Sequence, residues 1–128
     1  MDLSVVIPVY NEDESVTELA GWVEKVCREA GLSHEILFID DGSSDRTWSE
    51  LRKIARRNHQ VTIKRHRKNH GKGRALKFGC RFATGEYIAL LDADLELHPR
   101  QILGFYDILK RTGADVVVGS KWHPDSSL

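Results

Sequence analysis

Apolar runs too short to form helices alternate along this chain with stretches whose apolar residues recur at helical spacing, and that alternation restricts the fold more than any other feature. Residues 3–9, 35–39 and 87–91 are β-branched or apolar almost throughout. A short, nearly unbroken apolar run suits a strand covered on both faces, as in a parallel sheet. Residues 61–64 and 115–119 are two further strand candidates, the first running into charged residues and therefore expected at a sheet edge. Between the first two runs, Val16, Leu19, Ala20, Val23, Val26, Cys27 and Ala30 form a helical stripe that ends at Gly31. Ser15 and Glu18 have the spacing of a capping box for that helix. Ser44 and Asp45 are expected to cap a second helix carrying Trp48, Leu51, Ile54 and Ala55. A third helix opens at Asn69-His-Gly-Lys-Gly-Arg-Ala75, and Ala75, Gly79, Cys80 and Ala83 give it a small-residue face suited to close packing on a sheet. A fourth starts after Pro99, carries Ile102, Leu103, Tyr106 and Leu109, and stops at Gly113. Strand and helix in alternation predict an α/β sandwich with a mainly parallel sheet.

The 128 residues make a single domain, with no internal repeat, linker or low-complexity segment. A chain of this length buries roughly two-thirds of its unfolded surface. Lys plus Arg and Asp plus Glu both number 19, so no net field draws the whole protein to nucleic acid or to an anionic membrane. Cys27 and Cys80 both fall in expected helices, which reads as two small buried residues in a reducing compartment rather than a disulfide framework. No apolar run approaches the ~20 residues that span a bilayer, and the first residues lack the basic-then-apolar order of a signal peptide. The expected location is cytoplasmic.

Chemistry gathers at the strand ends. Asp92 and Asp94, separated by Ala93, follow the apolar run 87–91, at the carboxyl end of a buried strand where open α/β sheets bind ligands. In extended backbone, side chains two apart share a side, so both carboxylates would face one cation; alternatively they begin a solvated loop. Asp40 and Asp41 end the second run, and one helix cap needs only one acceptor, so the pair calls for a further role. Residues 64–74 contain six Lys or Arg and two His. The early part of that run reads as a solvated edge. In the later part, Gly71 and Gly73 permit close backbone approach beside Lys72 and Arg74. The glycine spacing is not that of a Walker A loop. Acids that hold a divalent metal, together with a glycine-rich basic helix start, fit a nucleoside diphosphate bridged by the metal.

Five segments in this order resemble family 2 glycosyltransferases with the GT-A fold: Ile7-Pro-Val-Tyr-Asn-Glu12, Ile39-Asp-Asp-Gly-Ser-Ser-Asp-Arg-Thr47, Asn69-His-Gly-Lys-Gly-Arg-Ala75, Thr84-Gly-Glu-Tyr-Ile-Ala-Leu-Leu-Asp-Ala-Asp-Leu-Glu96 and Asp115-Val-Val-Val-Gly-Ser120. The resemblance runs from about Leu3 to Trp122 and is strongest to the polyprenyl- or dolichyl-phosphate mannose and glucose synthases, chiefly through Asp45-Arg-Thr-Trp48 and the Asp-Ala-Asp-Leu segment. It implies a Rossmann-like three-layer sandwich in which Pro8, Tyr10 and Glu12 line a nucleoside pocket, Ile39 lies beside the base and Asp41 accepts a hydrogen bond from it. Asp92, Ala93 and Asp94 become the Asp-X-Asp segment that engages the diphosphate through Mg²⁺ or Mn²⁺, with Asp94 as direct ligand and Lys72 nearby. Glu96 stands where these synthases often have a Gln as further ligand, a departure that adds negative charge.

The implied chemistry is an inverting displacement of nucleoside diphosphate from a UDP- or GDP-sugar, for which Asp92 and Asp94 are the catalytic candidates. A polyprenyl phosphate at the membrane surface is already an anionic nucleophile and needs no general base. In the family, the acceptor contacts follow the Gly-Ser-Lys segment, where this chain stops. It is therefore expected to be the donor-binding part of such an enzyme, truncated before its acceptor side and weakly active or inactive alone. An antiparallel strand from that further part would lie between residues 115–119 and the central strands; without it a sheet edge is open to self-association. The alternatives are a module that binds a nucleotide sugar without transferring it, and a receiver-type phosphoacceptor domain. The second fails on order, since its acids would follow strands one and three, whereas here they follow strands two and four.

Overall fold

The computed structural model describes residues 1–91, 93, 101–113 and 116–118. Nine elements alternate: β1 (Leu3–Val9), α1 (Val16–Glu29), β2 (His34–Asp41), α2 (Thr47–Arg57), β3 (Val61–His66), α3 (Lys72–Cys80), β4 (Tyr87–Leu90), α4 (Gln101–Thr112) and β5 (Val116–Val118). All five strands are parallel, in the order β3-β2-β1-β4-β5. That order differs from the 2-1-3-4-5 arrangement of receiver-type domains.

Every residue of β1 is buried, because its two sets of alternating side chains enter two cores. Leu3, Val5, Ile7 and Val9 face one side with Ile36 and Phe38 of β2, and there they meet Leu19, Val23 and Cys27 of α1 and Leu51 and Ile54 of α2. Tyr106 brings α4 to the same side, its ring edge-on to Tyr87 at 5.5 Å. Val6, Leu37 and Ile39 point the other way, where α3 covers them with Ala75 and Gly79. A Cβ at Gly79 would stand 2.5 Å from Val6 Cγ1, so the small-residue face lets helix and sheet approach closely. Cys27 is fully buried and unpaired with Cys80, and burial pushes its thiol up to about 11. Ser4, the polar residue within β1, is satisfied by Glu35 Oε2 at 2.5 Å and by the Gly85 amide at 2.7 Å.

Two expectations, both about helix caps, are corrected. The capping box of α1 does not form: Ser15 is already helical (φ −108°, ψ −25°) with no side-chain cap bond, and the Glu12 carbonyl closes the turn by accepting the Ser15 and Val16 amides. At α2 the N-cap position is Arg46; Asp45 Oδ1 accepts the Thr47 amide at 2.8 Å, while Ser44 turns to Asn11. Beyond the caps, β5 lies directly beside β4, with Ile88 opposite Val116 and Leu90 opposite Val118. β5 thus takes the place beside β4, and its own outer edge has no partner strand among the described residues. The free edge at β3 carries Lys64, Arg65 and His66, charges that oppose further strand pairing.

Candidate functional site

The chain runs outward from β1 through β2 to β3 and then returns to β4 on the opposite side of β1. The loops leaving β1 and β4 therefore diverge, and the crevice between them is where open α/β sheets hold ligands. A cavity of about 320 Å³ lies there, lined by Pro8, Val9, Tyr10 and Glu12 from the end of β1, Asp41 from the end of β2, Asn69, Gly71 and Lys72 from the start of α3, and Ala93 after β4.

Alternation along β2 separates its two terminal acids. Asp40 is fully buried; its Oδ1 accepts the Ser43 amide at 3.0 Å and its Oδ2 lies 3.8 Å from Arg65 Nε. Asp41 faces the cavity, 3% exposed, and ties down the segment that opens α3. Its Oδ2 accepts the Gly71 amide at 2.8 Å, and its Oδ1 accepts the His70 amide at 2.9 Å and meets His66 Nδ1 at 3.3 Å. Gly42 makes this approach possible. Its φ is +79°, and a Cβ there would sit 2.7 Å from the Asn69 nitrogen.

A second set of bonds locks the β1 turn against the β2–α2 loop. Asn11 adopts the left-handed region at φ 52°. Its amide donates to Ser43 Oγ at 2.9 Å and its Oδ1 accepts the Ser44 amide at 2.9 Å. The Glu12 amide donates to Thr47 Oγ1 at 2.8 Å, which in turn donates to Asp45 Oδ1. Burial pushes Asp45 up, but the Thr47 hydroxyl and amide outweigh it and hold the carboxyl below its ordinary value. Tyr10, held at this turn, is 46% exposed at the cavity rim.

Of the residues singled out in the sequence, Pro8, Tyr10, Glu12, Asp41, Lys72 and Ala93 surround this one cavity. Ile39 does not line it. The side chain is fully buried under α3. Asp92, Asp94 and Glu96 lie outside the described residues. Among the described residues no three His, Cys, Asp or Glu side chains gather as metal ligands, and no helix is long and apolar enough to cross a membrane. Sequence reasoning passed over Asn11, Ser43, Thr47 and Asn69. Asn11 carried a faint signal, as Asn is enriched at positive φ; the hydroxyls carried none, because their partners lie more than 30 residues away.

The family described as glycosyl transferase family 2 matches residues 4–127. A dolichol-phosphate mannosyltransferase of Pyrococcus furiosus is 34% identical over 122 residues, covering 95% of this chain and 34% of the relative. An undecaprenyl-phosphate 4-deoxy-4-formamido-L-arabinose transferase of an Enterobacter species is 43% identical over 102 residues, covering 78% of this chain and 31% of the relative. Among solved structures, the mannosyltransferase PcManGT of Pyrobaculum calidifontis, in complex with GDP-Man and Mn²⁺, superposes with a TM-score of 0.64 at 29% identity, covering 72% of this chain and 27% of that one. The chain spans about a third of the length of the two curated relatives.

Proposed function

The chain belongs to glycosyl transferase family 2, with an α/β sandwich of the GT-A kind, and from that premise we propose that it is the donor-binding part of an inverting glycosyltransferase that moves a sugar from a UDP- or GDP-sugar to a polyprenyl phosphate. The observation that carries this reading is the convergence of Pro8, Tyr10, Glu12, Asp41, Lys72 and Ala93 on one cavity at the point where strand order reverses. Its volume of about 320 Å³ is near the lower end for small-molecule sites and suits part of a nucleotide sugar. The acceptor class rests on the names of the two relatives, both of which act on lipid-linked phosphates by those names.

In this reading Tyr10 offers an exposed ring against the base, while Pro8 and Glu12 shape the nucleoside wall. The start of α3 brings the Lys72 side chain and the positive end of the helix dipole to the diphosphate. Asp41 acts by holding the amides of His70 and Gly71 in place. By residue chemistry the donor set suits a hard divalent cation: Asp92 and Asp94 are the sequence neighbours of Ala93, which is buried in the cavity wall, and Glu96 adds a third oxygen donor in sequence. When bound, Mg²⁺ or Mn²⁺ supplies Lewis-acid stabilisation of the charge that develops on the departing diphosphate. A lipid phosphate enters already ionised, so no residue here is assigned as a base.

Calorimetry with GDP and UDP, with Mn²⁺ and in EDTA, tests the reading. Nucleotide binding should weaken in EDTA, and Asp94→Ala should lose the metal-dependent part while its unfolding transition is kept. Equal affinity in EDTA would remove the metal role; an unfolded Asp94→Ala would make that acid structural. A second reading is donor binding without transfer by this chain, which spans about a third of those relatives. An acceptor that is not positioned forfeits a proximity advantage of roughly 7 to 11 kcal/mol. Glycolipid formation against free sugar release from labelled donor separates the two.

A further inference from the structure

The balanced overall charge conceals a segregation. Residues 51–85 contain twelve Lys or Arg and neither Asp nor Glu. Part of this charge collects in a second cleft of about 310 Å³ on the α3 side of β3, lined by His66, His70, Arg74, Lys77, Phe78 and Arg81. None of these six residues lines the first cavity, and the donor-binding reading uses none of their side chains, only the His70 backbone amide.

We propose that this cleft is an anion site for a phosphate monoester or diphosphate group, distinct from the donor cavity. Four of its side chains, His70, Arg74, Lys77 and Arg81, recur at spacings of three and four and so stand along one face of α3 and its flanks. Like charges at such spacings repel. Among the described residues none of Arg74, Lys77 and Arg81 has a carboxylate within ion-pair distance to offset this. A bound anion offsets it. The back of the cleft is already in place. The His66 ring is fixed by Asp41 Oδ1 at 3.3 Å from Nδ1 and by edge contacts to Phe78 at 4.7 Å and His70 at 5.3 Å, and Arg74 reaches His70 Nδ1 at 3.4 Å. Donors held by packing lose little freedom on binding. Guanidinium forks, an ammonium and the Nε2–H that His70 keeps while its Nδ1 accepts from Arg74 together match the several acceptor oxygens of a phosphate better than the two of a carboxylate. Tetrahedral phosphate could reach this face free in solution or as a lipid headgroup.

The test follows the side-chain NMR signals of His66 and His70 as inorganic phosphate or pyrophosphate is added to the protein near neutral pH, with acetate as control. A saturable shift is expected, weaker by at least about tenfold in the double variant Lys77→Gln, Arg81→Gln, since each lost bond to a charged group matters at that level. Both side chains are exposed, so the variant should unfold at the wild-type denaturant midpoint and bind GDP as before. Co-flotation with vesicles containing phosphatidic acid, against phosphatidylglycerol, identifies the source. Displacement of phosphate by the phosphatidic acid vesicles assigns a lipid headgroup, and displacement by neither assigns a soluble phosphate. No saturable shift, the same shift with acetate, an undiminished response in the variant, or equal displacement of phosphate by both kinds of vesicle would each overturn the proposal.

Discussion

Asp41 separates two accounts of the cavity. In the sequence it reads as the acceptor of a hydrogen bond from the base, yet in the fold its carboxylate already accepts the His70 and Gly71 amides at 2.9 and 2.8 Å and faces His66 at 3.3 Å. Asp41→Asn preserves shape but swaps one oxygen for an NH₂ group, which must then face an amide donor. A donor left without an acceptor costs about 1–3 kcal/mol when buried and less where water reaches it, as it does at the exposed His70 and Gly71, while losing the charge on the surviving bond adds to that. Roughly 1–3 kcal/mol is therefore expected for Asp41→Asn, and more for Asp41→Ala, which strands the His70 amide and leaves the Gly71 amide only Asn69 Oδ1 at 3.0 Å. Urea unfolding followed by the fluorescence of the three Trp residues measures it. GDP affinity should fall with stability, because Asn69, Gly71 and Lys72 line the cavity on the segment Asp41 holds. An Asp41→Asn protein as stable as wild type that nevertheless fails to bind nucleotide would refute this reasoning and return Asp41 to direct recognition of the base.

Two glycines of α3 should respond oppositely to alanine. At Gly73 a Cβ meets nothing within 4 Å, so Gly73→Ala should stabilise by up to about 1 kcal/mol through helix propensity. At Gly79 the Cβ would lie 2.5 Å from Val6 Cγ1 and 3.0 Å from Ile39 Cγ1, and overpacking of about 1–3 kcal/mol should outweigh the same gain; a shift of both denaturant midpoints in one direction would contradict the packing of α3. Burial pushes Glu35 up, but the Ser4 hydroxyl and the Thr84 amide and hydroxyl outweigh it and hold its carboxyl below the ordinary 4.5. Its stabilisation is thus present above pH 4.5 and lost as pH falls through the lowered folded value. Glu35→Gln should flatten that acid limb in unfolding midpoints measured across it, and an unchanged slope would remove Glu35 from the account.

Local sequence determined the elements. Whether a segment is a strand or a helix depends on side chains two, three or four positions apart, and the runs at Leu3–Val9 and the stripe from Val16 to Cys27 carry that information without help from the rest of the chain. The same holds for the cavity residues contributed by motifs: Pro8, Tyr10 and Glu12 at one strand end, Lys72 at one helix start. Partnership was decided elsewhere. Asp40 and Asp41 are neighbours in sequence, yet alternation and the parallel register with β3 send one to Ser43 and Arg65 and the other to His66, His70 and Gly71. Ser15 has the sequence of a cap but makes no cap bond, the turn being closed instead by the Glu12 carbonyl, and Asn11, with only a faint signal in the sequence, fastens a loop 33 residues away. β5 settles against β4 because unpaired strand edges seek amide partners wherever the sheet supplies them. Such bonds depend on which strands become neighbours and in what register, a property of the assembled sheet that no window of local sequence contains.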